Sequence, residues 1–316
     1  MLEEVERWLA TRSWSAADRP LPALLAAKRA AVPSPTVSVV LPALDEESTV
    51  GDIVTVIRRE LMEKVPLVDE LVVIDSGSTD RTAEVAAAAG ARVVHRDAIL
   101  PRIPALPGKG EVLWRSLMVT RGDIVCFVDA DLRDFSADFV SGIVGPLLTD
   151  PEVQFVKAMY DRPLGEAAGQ GGRVTELVAR PLLNLHWPQL AGVVQPLGGE
   201  YAARRSLLER LPFPVGYGVE LALLVDALHT VGLDALAQVD VGSRKHRHQD
   251  GRALGRMAAA IYRTAQLRLS RGHLVRPVLT QFERGADGFV PRTHAVDTEE
   301  RPPMREIGEY AARRAA

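Results

Sequence analysis

The chain has 316 residues, of which 38 are basic and 41 acidic, for a formal charge of −3 at neutral pH. That near-neutral balance excludes a general nucleic-acid binder, which would carry a basic excess or stripe. Hydrophobic residues make up 47% and charged residues 25%, enough for the core of about two domains or of one large α/β domain. Residues 1–34 read as an amphipathic helix followed by a connector punctuated by Pro20, Pro22 and Pro33. Their acidic, mixed start lacks the basic-then-apolar pattern of a secretory signal. No run reaches the ~18 apolar residues of a membrane span, so no membrane partner and a cytoplasmic location are expected. The pattern then changes. Val37 to Pro42 is a short apolar run closed by a breaker, as a buried parallel strand should be. Residues 48–64 place Val50, Ile53, Val54 and Ile57 at helical spacing. A second strand is predicted over 71–75, then the turn Ser76-Gly77-Ser78 and a helix over 79–89 stopped by Gly90. A third strand over 92–95 leads through a Pro-rich loop to Gly110 and a helix to about Thr120. The fourth strand, 123–129, contains the single cysteine, Cys126, read as an inert core thiol.

A fifth strand is predicted over 153–159, and beyond it the pattern is less regular. A Gly-rich loop over 165–172 precedes a helix starting near Val174. Residues 196–200 form a second irregular stretch, and a helix opens at 216–220. A strand over 238–241 runs into the cationic stretch 244–248, a helix covers about 253–271, and a Pro/Arg/Glu-rich tail follows. That tail is expected to pack loosely or against a partner chain. The alternation predicts an α/β fold with a mostly parallel sheet and helices on both faces.

In such sheets ligands bind beyond the carboxyl ends of the strands, and polar residues gather at those ends here. Asp129-Ala130-Asp131 directly follows the fourth strand. Two carboxylates at i, i+2 can share a hard divalent cation and its bound diphosphate, an arrangement that suits magnesium. The tripeptide by itself is frequent as a solvated turn; its place after this strand carries the metal reading. His246, far along the chain, could complete such a site with its imidazole, although alone it reads as a loop histidine. Lys109 stands between Gly108 and Gly110 at a helix start, where backbone amides and the helix end favour an anion. It is not a Walker A loop, because Gly110 replaces the required Ser or Thr. Gly171-Gly172-Arg173-Val174-Thr175 repeats the logic with a cation and a hydroxyl. Arg244, Lys245, Arg247 and His248 add cationic density, though a charge run is more often a solvated face. Two anion cradles and one metal site point to two anionic substrates.

The stretches LPALDEE (41–47), DSGSTD (75–80), PGKGEVLWRS (107–116), GGRVTELVARPLL (171–183), QPLGGEYAA (195–203) and GYGVE (216–220) resemble the GT-A glycosyltransferases. More closely, they resemble the actinobacterial glucosyl- and mannosyl-3-phosphoglycerate synthases of glycosyltransferase family 81, over about residues 37–271. That resemblance implies a Rossmann-like GT-A sheet with a smaller acceptor-binding half. The divisions are an N-terminal helix and connector (1–34), a nucleotide-sugar-binding domain (35–160), an acceptor-binding domain (161–271) and a tail (272–316). It implies transfer of a hexose, with retention, onto the 2-hydroxyl of D-3-phosphoglycerate, and a homodimer. Pro42, Ala43, Leu44, Glu46, Ser76 and Lys109 would line the nucleotide pocket, with Asp129 and Ala130 touching the nucleotide. Asp131 and His246 would hold Mg2+ or Mn2+. Gly172, Arg173, Val174, Thr175 and His248 would hold the acceptor. Tyr217, Gly218, Val219 and Glu220 would lie beside the donor sugar, and Arg244 beside the diphosphate. Catalysis would fall to Asp131, Lys109, Glu220 and the backbone around Leu197, with Glu220 as a binder of sugar hydroxyls in preference to a nucleophile.

The chain departs from the mycobacterial glucosyl pattern at Asp45, Ala130 and His248 and in a shorter loop over 162–171. These departures turn the expectation toward the mannosyl branch, with GDP-mannose as donor and tolerance of glucose donors. A glucosyl synthase using UDP-glucose is the alternative. An answer of another class is a non-catalytic sugar-nucleotide binding module, which could dispense with His246, Arg173 and Thr175. A nucleotidyltransferase would need a Gly-rich triphosphate loop after the first strand, and LPALDEE has none.

Overall fold

The computed structural model describes residues 2–161, 172–244, 250–269, 278–285, 288–295 and 298–315. In chain order its first nine strands are β1 (Ser13–Ser15), β2 (Val37–Ala43), β3 (Glu70–Asp75), β4 (Arg92–His95), β5 (Ile124–Phe127), β6 (Phe155–Asp161), β7 (Tyr201–Arg204), β8 (Phe213–Pro214) and β9 (Leu236–Ser243). All but β8 join one eight-stranded sheet in the order β1-β9-β6-β7-β5-β2-β3-β4. Neighbours are parallel except at β7, which runs antiparallel to both β5 and β6. The expected α/β architecture with a mostly parallel sheet is what the chain forms.

The continuous apolar runs follow from burial on both faces. Successive residues of β2 alternate between two cores. Val40 packs with Val72, Trp114 and Phe127 on one face, while Val39 and Leu41 join Ile53, Val73 and Val144 on the other. Cys126 is fully buried, and burial pushes its thiol well above the ordinary range. From β2 the chain steps outward to β3 and β4 and then returns to β5 on the other side of β2. The reversal opens a crevice at the carboxyl ends of β2 and β5, and this positions the site.

Four features escaped the sequence reading. Residues 1–34 hold more than a helix and connector: β1 extends the sheet beside β9, flanked by helices Glu3–Arg12 and Leu21–Ala30. Trp8 anchors this element by donating its indole N–H to the Leu236 carbonyl at 2.7 Å. A buried helix, Asp138–Thr149, lies between β5 and β6, where Gly142, Gly145 and Pro146 weaken the helical signal. Its glycines are packing sites: a Cβ on Gly142 would lie 3.1 Å from that of Ala16. The strand β7 was hidden because two of its four residues are alanine, which has little strand preference.

The tail is the fourth, and here the expectation of loose packing is corrected for residues 299–315. Glu300–Arg301 pairs with β8, Trp114 donates to the Pro302 carbonyl at 2.9 Å, and Met304 and Tyr310 are buried. Its arginine and glutamate content suggested solvent, yet Arg301 reaches the buried Glu111 at 2.7 Å. Ahead of it, Val278–Gly285 and Gly288–Ala295 form an antiparallel hairpin. Among the described residues no helix is long and apolar enough to cross a membrane.

Candidate active site

The loops after β2 and β3 are laced together. Asp45 accepts from the Thr79 backbone N–H at 2.7 Å, and the Glu46 N–H donates to Thr82 Oγ1 at 2.7 Å. Asp75 accepts from the Ser78 N–H at 3.2 Å, which accounts for the DSGSTD turn. Thr49 holds the third loop by donating to the Ala130 carbonyl at 2.6 Å. Beyond these strand ends lies a cleft of about 600 Å3. Pro42, Ala43, Leu44, Glu46 and Ser76 line it together with Asp129, Ala130 and Asp131.

Lys109 enters from the first turn of the helix Lys109–Val119. Its ammonium pairs with Asp129 and, at 2.8 Å, with Glu220 at the start of the helix Val219–Val231. Burial would lower the Lys109 pKa, but the charges of Asp129 and Glu220 overcome it and hold the pKa well above the ordinary lysine value. Gly108 lines the cleft beside Lys109, and both flanking glycines also meet a packing need. A Cβ on either would strike the backbone of residues 214–216, and the Glu111 N–H is spent on the Val215 carbonyl at 3.3 Å. The glycines seat the helix start; the lysine side chain faces the cleft.

Arg244, at the end of β9, is 4% exposed. Its guanidinium donates to Glu200 at 2.9 Å, to Asp129 at 2.8 Å and to Asp131 at 3.3 Å. Burial works against its charge, but the surrounding carboxylates, Glu200 first, keep its pKa well above the ordinary arginine value. Asp131 is placed differently. Burial, then the neighbouring Asp129 charge, raises its pKa, with Arg244 opposing. A carboxylate that remains disfavoured after its protein cation is counted fits a further hard cation. Among the described residues no group of three His, Cys, Asp or Glu side chains converges to hold a metal. The carboxylates Asp129 and Asp131 at the cleft suit Mg2+ or Mn2+, which use one or two carboxylates and take other ligands from water and phosphate.

Gly172, Arg173, Val174, Thr175, Leu197, Tyr217, Glu220 and Arg244 line the same cleft, so both proposed anion cradles open into one space. Gly218 and Val219 do not line it. Val219 is fully buried in the core, and Gly218 packs against Thr264, so these two serve packing. His246 and His248 lie outside the described residues. The sequence reading missed Glu200, Tyr160 and Lys157, all buried beneath the cleft. Lys157 donates to the Gly198 carbonyl, below the loop that carries Leu197. The signal for Lys157 and Tyr160 was a charged or phenolic group inside apolar strand sequence; Glu200, just before β7, had none. It also missed Leu254, Met257 and Ile261, an apolar wall from the helix Gly251–Leu269.

A family model described as Glycosyl transferase family 2 matches residues 38–173. A glucosyl-3-phosphoglycerate synthase of Mycolicibacterium smegmatis is 51% identical over 304 residues, 94% of this chain and 97% of that protein. The chain belongs to the glycosyl-3-phosphoglycerate synthase family. It is a glycosyltransferase that makes a glycosyl-3-phosphoglycerate. The glucosyl-3-phosphoglycerate synthase of Mycobacterium tuberculosis, solved with Mn2+, uridine diphosphate and phosphoglyceric acid, superposes with a TM-score of 0.82 at 48% identity, covering 91% of this chain and 95% of that one. The mannosyl-3-phosphoglycerate synthase of Rubrobacter xylanophilus superposes with a TM-score of 0.89 at 40% identity, covering 96% and 99%.

The relatives of higher identity are glucosyl enzymes, so these likenesses favour the glucosyl alternative over the mannosyl branch. The structure shows where the departures lie. Asp45 is spent on Thr79 and does not line the cleft. Ala130 is 3% exposed and is held through its carbonyl. His248 and most of the shortened loop fall outside the described residues. Of the two departures that can be placed, Ala130 lines the cleft and Asp45 does not.

Proposed function

We propose that this chain is a glucosyl-3-phosphoglycerate synthase, moving glucose from UDP-glucose to the 2-hydroxyl of D-3-phosphoglycerate with retention and dependence on Mg2+ or Mn2+. The observation that carries the reaction class is the single cleft shared by Asp131 and Lys109 with Arg173 and Thr175. The donor rests on relatives at about half identity, which bear the glucosyl name. Asp131, with His246, would hold the metal, which when bound offsets the negative charge of the departing diphosphate. Lys109 and Arg244 both pair with Asp129 and would supply fixed positive charge where that negative charge develops. Arg173 and Thr175 would hold the phosphate or carboxylate of the acceptor, with the Leu197 backbone directing its hydroxyl to the face the nucleotide leaves. Glu220 is tied to Lys109 at 2.8 Å; a carboxylate so neutralised is a poor nucleophile, which supports its reading as a binder of sugar hydroxyls. A cytoplasmic homodimer belongs to the same proposal.

The test is a donor panel. UDP-glucose, GDP-glucose and GDP-mannose are each incubated with 3-phosphoglycerate and Mg2+ or Mn2+, with released nucleotide assayed and the anomeric product assigned by NMR. UDP-glucose should give the highest kcat/KM. Preference for GDP-mannose would restore the mannosyl reading, for which the fit to the Rubrobacter enzyme speaks. No turnover with any donor would remove the enzyme reading.

A further inference from the structure

We propose that Glu200 is a positioning residue of the donor site, acting through Arg244 to keep Asp131 available to a divalent cation. This rests on the metal-dependent reading above. Glu200 is completely buried, immediately before β7, and each of its oxygens has its own partner. Tyr160 Oη donates to Oε2 at 2.6 Å, and Arg244 Nε donates to Oε1 at 2.9 Å. The loop above has no slack. A Cβ on Gly198 would come within 2.7 Å of the Tyr160 hydroxyl, and one on Gly199 would collide with the Asp129 carboxylate and the Lys109 ammonium. The Arg244 backbone is fixed as well, its N–H donating to the Asp161 carbonyl at 2.9 Å.

With Nε tethered, the guanidinium meets the two aspartates through Nη2, and unequally. Asp129 is met at 2.8 Å and Asp131 at 3.3 Å. The tether sets that inequality. A guanidinium carries five N–H donors in a planar fork that matches a carboxylate bidentately. Released from Glu200, it would be able to turn Nε and Nη2 together onto Asp131, where it would compete with the metal for the same oxygens. Glu200 thus holds the arginine to the Asp129 side of the pair and leaves Asp131 only its longest contact.

The experiment is Mn2+ titration of the full chain with UDP present, read by the loss of free Mn2+ signal in electron paramagnetic resonance. Glu200→Ala should weaken Mn2+ binding about tenfold or more. Glu200→Gln, which keeps shape and an acceptor toward Nε, should fall between it and wild type, and Tyr160→Phe should weaken binding two- to threefold. In an Arg244→Ala background, Glu200→Ala should add less than a further threefold, because the two act as one unit. A residue that only stabilised the fold would lower the melting temperature without changing the affinity of the folded fraction. Wild-type Mn2+ affinity in Glu200→Ala, or an equal loss in both backgrounds, overturns the proposal. If Glu200→Ala does not fold, unchanged affinity in both Glu200→Gln and Tyr160→Phe overturns it. Failure of the wild type itself to bind Mn2+ with UDP would overturn the metal-dependent reading and this proposal with it.

Discussion

Two buried charge clusters sit on one helix, two residues apart, and they have opposite characters. Glu111 and Arg115 are both completely buried. Arg115 donates to Glu111 at 2.7 Å and to the carbonyl of Ile103 at 2.6 Å, and Arg301 closes the other carboxylate oxygen at 2.7 Å. Every charge there is answered by protein, and neither residue borders the cleft. Lys109, at the start of the same helix, joins Asp129, Glu220, Arg244, Glu200 and Asp131 at the edge of the cleft. Among these described residues four carboxylates meet Lys109 and Arg244, and Asp131 stays disfavoured as an anion. Buried charges that close on themselves hold a fold; carboxylates left in excess beside a cavity are arranged for something that arrives.

The comparison breaks first at Asp131. Asp131→Ala should lower metal-dependent transfer by about 10^3-fold or more, given the several kcal/mol that a catalytic metal supplies to developing charge, while far-UV circular dichroism stays native. A wild-type rate would return the Asp-Ala-Asp turn to the solvated loops. At the closed cluster the effect should fall on stability. Glu111→Ala leaves the buried Arg115 and the partly buried Arg301 short of a partner and should cost about 3–5 kcal/mol, measured by urea unfolding, with kcat per folded molecule nearly unchanged. If activity per folded molecule collapsed as well, the two clusters would be one.

The smallest effect sharpens the distinction by its sign. Asp131 has a raised folded pKa, so ionising it costs stability. That cost is absent below the ordinary carboxylate range and grows as pH rises through the raised value. In EDTA, Asp131→Asn should therefore melt a few degrees above wild type at pH 7, with the gain vanishing toward pH 3. Adding Mn2+ and UDP should reverse the order, because wild type gains binding free energy that the variant lacks. Calorimetry with and without metal reads both.

Much of this was legible from residue order. Apolar runs closed by breakers gave β2, β3, β4, β5, β6 and β9, because a strand covered on both faces must be apolar throughout. The donor-side residues Pro42, Ser76, Asp129 and Asp131 were legible because a parallel sheet gathers its loops at one rim. Residues whose partners are remote were not. Nothing near Glu200 in sequence announces Arg244 or Tyr160, 44 and 40 residues away. Arg301 reads as a solvated tail residue until Glu111, 190 residues earlier, lies beneath it.

Local chemistry also left out second roles that only the fold supplies. The glycines beside Lys109 pack against the backbone of residues 214–216. Asp45 is a clasp between two loops. By itself, the sequence determined the alternation of strands and helices, the rim where ligands bind and the residue types gathered there, since all of these follow from burial pattern and chain direction. Only the tertiary structure decided which charges are closed and which are left for a ligand, because an electrostatic balance is set by distances through space, and a chain that folds back on itself does not write those distances in its order.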